Sequence, residues 1–300
     1  MYVVAIDTGA TKIAGAVVDE KGNILAHVQH PNTGLSGPFI LDTYVDIVQE
    51  LREKYPVSAI GIGAGGRIDP ADGRVLFATD AYSDYIGLVI GDEIEKRCGL
   101  PTVVDNECRM AVYGERWKGA AKAYADVFGI ILGTGVGGGY IQGGKPVYGA
   151  ACSTGEAGHF LLYPGGKNCL CGQSGCVEQY LSGTALWQSY NGLAETDDIS
   201  SGYDFFRLLD SGDTTALNVM EEFISNLAVY AVSIANILSP HAILLGGGLM
   251  DTADRWWARF VNAYLANGNS HCVNVALLRA ATGNNAALLG AARMAFDRYL

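Results

Sequence analysis

The feature that most constrains this chain is a cluster of one histidine and three cysteines near its middle. His159, Cys169, Cys171 and Cys176 follow the spacing His-x9-Cys-x-Cys-x4-Cys. Neutral imidazole and thiolates are the ligand set that tetrahedral zinc prefers, and four protein ligands leave no open coordination position. The spacing therefore predicts a closed, structural zinc site. Disulfides or scattered buried thiols are the alternative, which is the weaker one for cysteines this close together in a chain expected to be cytosolic.

Two acidic residues flank this cluster. Glu156 precedes His159 by three residues, and Glu178 comes two residues after Cys176. A zinc-bound imidazole keeps one ring N–H that is free to bind another group. The sequence therefore predicts a polar ligand beside His159.

Composition limits the class of protein. The 300 residues suggest about two domains. Apolar residues make up 49% of the chain and charged residues 17%, which indicates a globular protein. The net charge of −11 argues against nucleic acid or an anionic membrane as a partner. No apolar run of transmembrane length and no basic signal-peptide region is present, so we expect a cytoplasmic location.

Short apolar runs and amphipathic stretches alternate along the chain, which predicts two α/β domains with mixed sheets flanked by helices. The expected boundaries are 1–117 together with a C-terminal helix at 287–300, and 118–286 for the larger domain that carries the zinc motif. Within the second domain we expect an irregular segment at 191–213, a helix at 254–266 and a strand at 273–278.

Three glycine-rich or small-residue loops follow apolar strands, at 7–12, 133–139 and 246–248. Exposed backbone N–H groups in such loops bind phosphate oxygens, and glycine allows the backbone to approach closely. In the first loop Asp7 could hold magnesium through water, and Lys12 could neutralise phosphate. The alternatives are ordinary turns, a strand-end cap at Asp7 and a solvated charge at Lys12.

A second acidic group follows the predicted strand at 102–104. Asp105, Asn106 and Glu107 stand where a helix begins. A carboxylate held at such a point is suited to act as a general base. The alternative, which the spacing alone favours, is simple capping of the helix N-terminus, for which Asp and Asn are equally suited.

Together these motifs resemble the ROK family (repressor, open reading frame, kinase), which comprises sugar kinases and sugar-responsive repressors. The resemblance covers essentially the whole chain and implies the two-domain actin-like ATPase fold, which is ribonuclease H-like. The matching segments are Asp7-x-Gly9-x-Thr11-Lys12, Gly61-Ile62-Gly63-x-x-Gly66-x-Ile68-Asp69, Gly133-Thr134-Gly135-x-Gly137-Gly138-Gly139, Glu156-x-Gly158-His159, Cys169-x-Cys171-Gly172-x-x-Gly175-Cys176-x-Glu178, Leu245-Gly246-Gly247-Gly248 and the segment from Gly283 to Ala292.

This resemblance implies an ATP-dependent kinase that phosphorylates the 6-hydroxyl of a hexose or N-acetylhexosamine, and a homodimer or larger assembly. The implied sugar-binding residues are Gly66, Asn106, Glu156, His159 and Glu178. The implied ATP and magnesium residues are Asp7, Gly9, Thr11, Lys12, Gly133, Thr134, Gly135, Gly247 and Gly248. The zinc would fix the orientation of His159.

The implied catalytic base is the residue after Asn106, and here the chain departs from the family. The family usually has Asp, whereas this chain has Glu107, whose extra methylene moves the carboxylate by roughly 1.5 Å. The backbone could compensate, Asp105 could serve instead, or the protein could bind sugar and turn over poorly as a sensor. Gly65 and Tyr85 are lesser departures near the expected sugar cleft. Family repressors carry a helix-turn-helix before the first loop, for which residues 1–6 leave no room, so we do not expect direct DNA binding.

Overall fold

The computed structural model describes residues 1–79 and 82–300. The chain divides into two compact units. Unit 1 contains Met1–Ala123, Gly139–Thr154 and Ala281–Leu300, and unit 2 contains Tyr124–Gly138 and Gly155–Ala280. The prediction from sequence had not included 139–154 in the first domain.

The regular elements follow one another in an α/β order. The strands are β1 (Tyr2–Thr8), β2 (Lys12–Asp19), β3 (Ile24–Pro31), β4 (Ala59–Ala64), β5 (Arg67–Asp69), β6 (Arg74–Phe77), β7 (Thr102–Asn106), β8 (Val127–Leu132), β9 (Val136–Gln142), β10 (Lys145–Pro146), β11 (Ala242–Gly246) and β12 (Ala276–Arg279). The helices are α1 (Gly37–Arg52), α2 (Ile90–Cys98), α3 (Glu107–Lys118), α4 (Glu178–Leu181), α5 (Gly183–Ala194), α6 (Gly202–Asp210), α7 (Thr214–Leu238), α8 (Trp257–Asn267) and α9 (Ala286–Tyr299).

The first sheet has the strand order β3-β2-β1-β4-β7. Strand β1 is antiparallel to β2 and parallel to β4, and β4 is parallel to β7. In this register Asp7 lies beside Gly63, and Gly63 lies beside Asp105. The carboxyl ends of the three parallel strands therefore meet at one edge, which we call the carboxyl edge of unit 1.

Helix α1 covers one face of this sheet with the residues that its 3.6-residue periodicity predicts. Its apolar face buries Ile40, Tyr44, Ile47, Val48 and Leu51. The helix begins where the Ser36 side chain accepts a hydrogen bond from the backbone of Phe39, as expected for an N-cap. Burial of this apolar face holds α1 on the sheet.

Helix α9 packs within unit 1 against α3 and β4 through small residues. A Cβ at Gly114 would clash with the carbonyl of Ala286, and one at Gly290 would clash with that of Met110. Similarly, a Cβ at Gly61 would overlap the backbone of Ala291. Glycine at these positions allows the backbones to come into direct contact.

The second sheet has the order β10-β9-β8-β11-β12, with β8, β11 and β12 parallel. Both sheets are therefore five-stranded and mixed, and the predicted fold class is confirmed. Among the residues that the structure describes, no helix is long and apolar enough to span a bilayer.

One prediction of local structure in the second half was wrong, and two others gave the correct element with a misplaced start. Residues 191–213 contain helix α6, because Phe205, Phe206 and Leu209 form a buried helical face that their polar neighbours concealed. The predicted helix at 254–266 begins only at Trp257, after a 3₁₀ segment over Gly248–Arg255. The predicted strand at 273–278 begins at Ala276, because Cys272–Asn274 form a 3₁₀ turn.

Candidate active site

Asn106 connects several groups at the carboxyl edge of unit 1. Its Oδ1 accepts a hydrogen bond from the backbone N–H of Arg109 at 3.0 Å, so Asn106 does cap α3. Its Nδ2 donates to the Gly66 carbonyl at 3.0 Å and to Glu107 Oε2 at 2.7 Å. The capping interpretation is therefore correct, and the same side chain also orients the carboxylate of Glu107.

Glu107 is the first residue of α3 and is half-buried. The neighbouring position on β4 is Gly63, where a Cβ would lie 3.3 Å from the Cα of Glu107. The Cys108 thiol lies 3.4 Å from Glu107 Oε1. A carboxylate that is partly exposed and held by hydrogen bonds at a helix start is arranged to accept a proton.

Asp105 differs from Glu107 in its surroundings. It is fully buried and forms an ion pair with Arg109, which is also buried. Burial raises the pKa of Asp105 to about 6, although the Arg109 guanidinium opposes this shift. The same guanidinium stacks 5.0 Å from the centre of the Tyr148 ring and donates to the Cys152 and Thr154 carbonyls. Arg109 thus joins α3 to the 148–154 segment, and Asp105, which is closed to solvent, balances the charge of Arg109.

The loop between β1 and β2 contains Asp7, Gly9, Thr11 and Lys12. Burial raises the pKa of Asp7 to about 6, and Lys12 opposes the shift. The Gly9 N–H donates to the Lys12 carbonyl at 2.9 Å, while the side chains of Thr11 and Lys12 are exposed. The loop therefore leaves these side chains accessible to a ligand above a half-buried carboxylate.

Asn32 supports this loop, and sequence reasoning missed it. Its Nδ2 donates to the Gly9 carbonyl at 2.9 Å, and its backbone N–H donates to the Thr11 carbonyl at 2.9 Å. It lies 23 residues from Gly9 along the chain. Its position directly after β3, the neighbour of β2, was the signal that could have identified it.

The glycine loop of unit 2 is braced by Glu178. Glu178 Oε2 accepts a hydrogen bond from the Val136 N–H at 2.9 Å, and a Cβ at Gly135 would clash with that oxygen. The Gly133 N–H donates to the Gly135 carbonyl at 2.9 Å, closing a tight turn. Thr134 at its tip is exposed. One of the predicted sugar ligands is thus bonded to one of the predicted phosphate loops.

A second loop lies beside this one. Gly246 is paired with Ile131 across the parallel strands β11 and β8, so the loops that follow both strands leave the sheet at the same end. Gly247 has φ of 87°, and a Cβ there would clash with the Leu132 carbonyl. Gly248 has open space around it. Residues 133–135 and 247–248 therefore lie side by side at this end of the sheet, and glycine loops of this kind can bind phosphate through backbone N–H groups.

The predicted zinc ligands come together in unit 2. The ligand atoms of His159, Cys169, Cys171 and Cys176 all lie within 4.8 Å of one another. Cys171 and Cys176 Sγ are 3.6 Å apart, and Cys169 Sγ is 3.8 Å from His159 Nδ1. Tetrahedral zinc with bonds of about 2.3 Å requires sulfur atoms roughly 3.7 Å apart, so the donor set and its spacing fit this ion.

The other ring nitrogen of His159 points towards Glu156. His159 Nε2 lies 4.0 Å from Glu156 Oε2, while Nδ1 faces Cys169. Both side chains are about one-third exposed. The structure thus brings together the imidazole and the carboxylate that the sequence predicted to bind a polar ligand.

The family model described as the ROK family matches residues 3–298. The chain belongs to the ROK family. The fold of this ROK protein is the actin-like ATPase fold of its structural neighbours.

Individual relatives are sugar kinases. The chain is 34% identical over 310 residues to a glucokinase of Streptomyces coelicolor, covering 97% of this chain and 96% of the relative. It is 31% identical to an N-acetyl-D-glucosamine kinase of Salmonella newport, with 81% and 82% of the two chains covered. The structure resembles a ROK glucokinase from Streptomyces griseus in complex with glucose and AMPPNP, with a TM-score of 0.84, 32% identity and coverage of 99% and 100%.

Proposed function

We propose that this protein is an ATP-dependent kinase of a hexose or N-acetylhexosamine that phosphorylates the sugar 6-hydroxyl. The observation that carries the proposal is the pairing of Glu107 with Asn106 at the same sheet edge as Asp7. That edge presents a candidate base, which follows β7, and a candidate magnesium-water ligand on β1, and both strands are parallel neighbours of β4. The names of the relatives given above support the same reaction class.

In the proposed reaction Glu107 accepts the proton of the sugar 6-hydroxyl, while the oxygen of that hydroxyl attacks the γ-phosphorus of ATP in line. The new O–P bond forms as the bond to the β-phosphate oxygen breaks, and ADP leaves. Asn106 keeps the Glu107 carboxylate oriented through its 2.7 Å hydrogen bond. Because Asp105 is buried and paired with Arg109, we propose Glu107 rather than Asp105 as the base.

Other residues have the binding roles that the family resemblance implies. We propose that Gly66, Asn106, Glu156, His159 and Glu178 bind the sugar hydroxyls. For ATP we propose Asp7, Gly9, Thr11, Lys12, Gly133, Thr134, Gly135, Gly247 and Gly248. Magnesium held near Asp7 would neutralise phosphate charge, and zinc bound by the cysteines would fix His159. We also propose a homo-oligomer, which light scattering after gel filtration tests.

The decisive experiment is sugar-dependent ADP release with a panel of hexoses and N-acetylhexosamines. We expect turnover with at least one sugar, and a fall in kcat of about 10²–10⁴-fold in Glu107→Gln. The exposed Glu53→Gln is the matched control and should behave as the wild type. Absence of ADP release with every sugar would refute the proposed kinase activity. A Glu107→Gln variant with the kcat of the wild type would refute the role of Glu107 as the general base.

Glu107→Asp measures the effect of side-chain length. If the wild type releases no ADP and this variant does, the extra methylene of Glu107 has displaced the carboxylate from the position that catalysis requires. Saturable sugar binding by that silent wild type would then favour the sensor function instead.

A further inference from the structure

A chain of buried hydroxyl groups lies behind the carboxyl edge of unit 1. Thr8 Oγ1 and the Tyr44 hydroxyl are 2.6 Å apart, and the Tyr85 hydroxyl donates to the Gly65 carbonyl at 3.1 Å. The Tyr44 phenol lies close to the Tyr85 phenol, and this proximity helps to raise the pKa of Tyr85. Thr8, Tyr44 and Tyr85 are exposed by only 3%, 0% and 1%, so water does not compete for these bonds.

The Gly65 carbonyl fixes the direction of the Tyr85 hydrogen bond. A carbonyl oxygen only accepts, so the single Tyr85 hydrogen goes to Gly65. Removing the Tyr85 hydroxyl therefore takes this donor away from the buried Gly65 carbonyl, and removing the Tyr44 hydroxyl takes away the buried partner of Thr8 Oγ1.

The far end of the chain leads to the proposed base. Gly66, the residue after Gly65, presents its carbonyl to Asn106 Nδ2, and the same amide donates to Glu107 Oε2. Tyr82 adds a steric constraint, because its hydroxyl lies 2.8 Å from where a Cβ at Gly65 would stand. The Tyr82 ring stacks on Tyr85 with centroids 4.8 Å apart. The Gly65–Gly66 turn is therefore held by Tyr85 at the Gly65 carbonyl and by Asn106 at the Gly66 carbonyl.

The near end of the chain leads to the proposed phosphate loop. Thr8 directly follows Asp7 at the end of β1. Burial raises the pKa values of Tyr44 and Tyr85, and their mutual proximity adds to the shift in Tyr85. Both phenols therefore stay neutral, and the bonding pattern does not change over the pH range of an assay.

A purely structural role is the alternative, and unit 2 supplies an example of it. The Tyr264 hydroxyl is equally buried and donates to the Cys272 carbonyl at 3.0 Å. None of the proposed site residues is in this pair. The Tyr44–Tyr85 chain differs because it runs from the neighbour of Asp7 to the turn that anchors Asn106.

We propose that Tyr44 and Tyr85 are positioning residues for phosphoryl transfer, which set the place of the Glu107 carboxylate relative to Asp7 through the Gly65–Gly66 turn. This inference rests on the proposed function and adds to it a structural connection between the base and the phosphate loop.

The test compares Tyr85→Phe and Tyr44→Phe with Tyr264→Phe as the matched control. We expect kcat to fall on the order of tenfold in the first two, because displacement of a reacting group by a fraction of an ångström is costly. Sugar affinity, measured by calorimetry without nucleotide, should change by less than about threefold. The control should lose comparable stability and keep its kcat.

Two further readouts separate this proposal from the kinase proposal. If the tyrosines act through the base, adding Tyr85→Phe to Glu107→Gln causes no further loss in kcat. Hydrogen exchange of residues 64–68 and 105–109 should accelerate in Tyr85→Phe and not in Tyr264→Phe, and this holds whether or not any sugar is turned over. Unchanged exchange there, unchanged kcat in both variants, or a loss confined to sugar affinity would each overturn the inference.

Discussion

Glu115 accepts two hydrogen bonds from Thr282, one from its backbone N–H at 2.7 Å and one from its hydroxyl at 2.6 Å. The same buried carboxylate also accepts from the N–H groups of Ala281 at 2.9 Å and Ala120 at 2.8 Å. The chain first leaves unit 1 after Ala123 and enters it for the last time at Ala281. Glu115 thus connects the end of α3 to Ala120, near the point where the chain first leaves unit 1, and to Ala281 and Thr282, where it enters unit 1 for the last time.

Glu115→Gln should lower the free energy of unfolding by about 2 kcal/mol, because an amide has one acceptor atom where the carboxylate has two. In the variant an NH₂ group would face a backbone N–H. Urea unfolding measures the effect. Glu221→Gln, at an exposed ion pair with Arg259, is the control and should change stability by less than about 0.5 kcal/mol. Equal losses of unfolding free energy in the two variants would show that the hydrogen bonds of Glu115 do not stabilise the fold.

Asn32→Ala should raise the KM for ATP roughly tenfold, since the loss of one hydrogen bond to the Gly9 carbonyl loosens the first phosphate loop. The KM for sugar should stay within about twofold. Asn23→Ala is the matched control, because Asn23 lies in the neighbouring β2–β3 hairpin, where it bonds only to Asp19. A uniform change in both KM values would show that Asn32 supports the fold and not the loop.

Asp7→Asn should stabilise the nucleotide-free protein at neutral pH while abolishing turnover. Burial raises the pKa of Asp7 to about 6 from an unfolded value of 3.8. The folded state therefore binds more protons than the unfolded state between these values, so this group destabilises the fold increasingly as pH rises from about 4 to 6. At pH 7 the variant should gain roughly 3 kcal/mol, since each pKa unit corresponds to about 1.4 kcal/mol.

Urea unfolding at pH 4.5 and pH 7 tests this expectation, with the exposed Asp254→Asn as the control. The difference in stability between Asp7→Asn and the wild type should be larger at pH 7. A difference that shrinks with pH, or that the control reproduces, would show that burial of Asp7 is not the cause.

The wild-type protein should contain about one zinc ion per chain. Cys171→Ser should contain none, because a serine hydroxyl is a poor ligand in a thiolate site. Elemental analysis after dialysis measures the zinc content without reference to activity. Cys98→Ser is the control, since Cys98 is buried in the core of unit 1 and away from the cluster. Absence of zinc from the wild type, or equal zinc in both variants, would refute the site.

Sequence patterns located the features that depend on spacing along the chain. The His159–Cys176 segment folds back on itself, so its ligand spacing was sufficient to predict the cluster. The loop at 7–12 and the cap at Asn106 likewise follow from local residue types. The apolar period of α1 predicted its buried face.

Contacts between distant residues could not be predicted in this way. Tyr44 meets Thr8 across 36 residues, and Glu115 meets Thr282 across 167. Both contacts depend on strand register and helix placement that no local period encodes. Asp105 differs, because its partner Arg109 is only four residues away, and what the sequence did not indicate is that both side chains are buried.

The packing of α9 against α3 and β4 has a consequence for synthesis on the ribosome. Unit 1 includes Ala281–Leu300, which are translated after all of unit 2. The close backbone contacts at Gly61, Gly114 and Gly290 cannot form until that helix has emerged. Unit 2 can therefore fold before α9 is available, whereas unit 1 keeps an apolar face uncovered until α9 has left the exit tunnel.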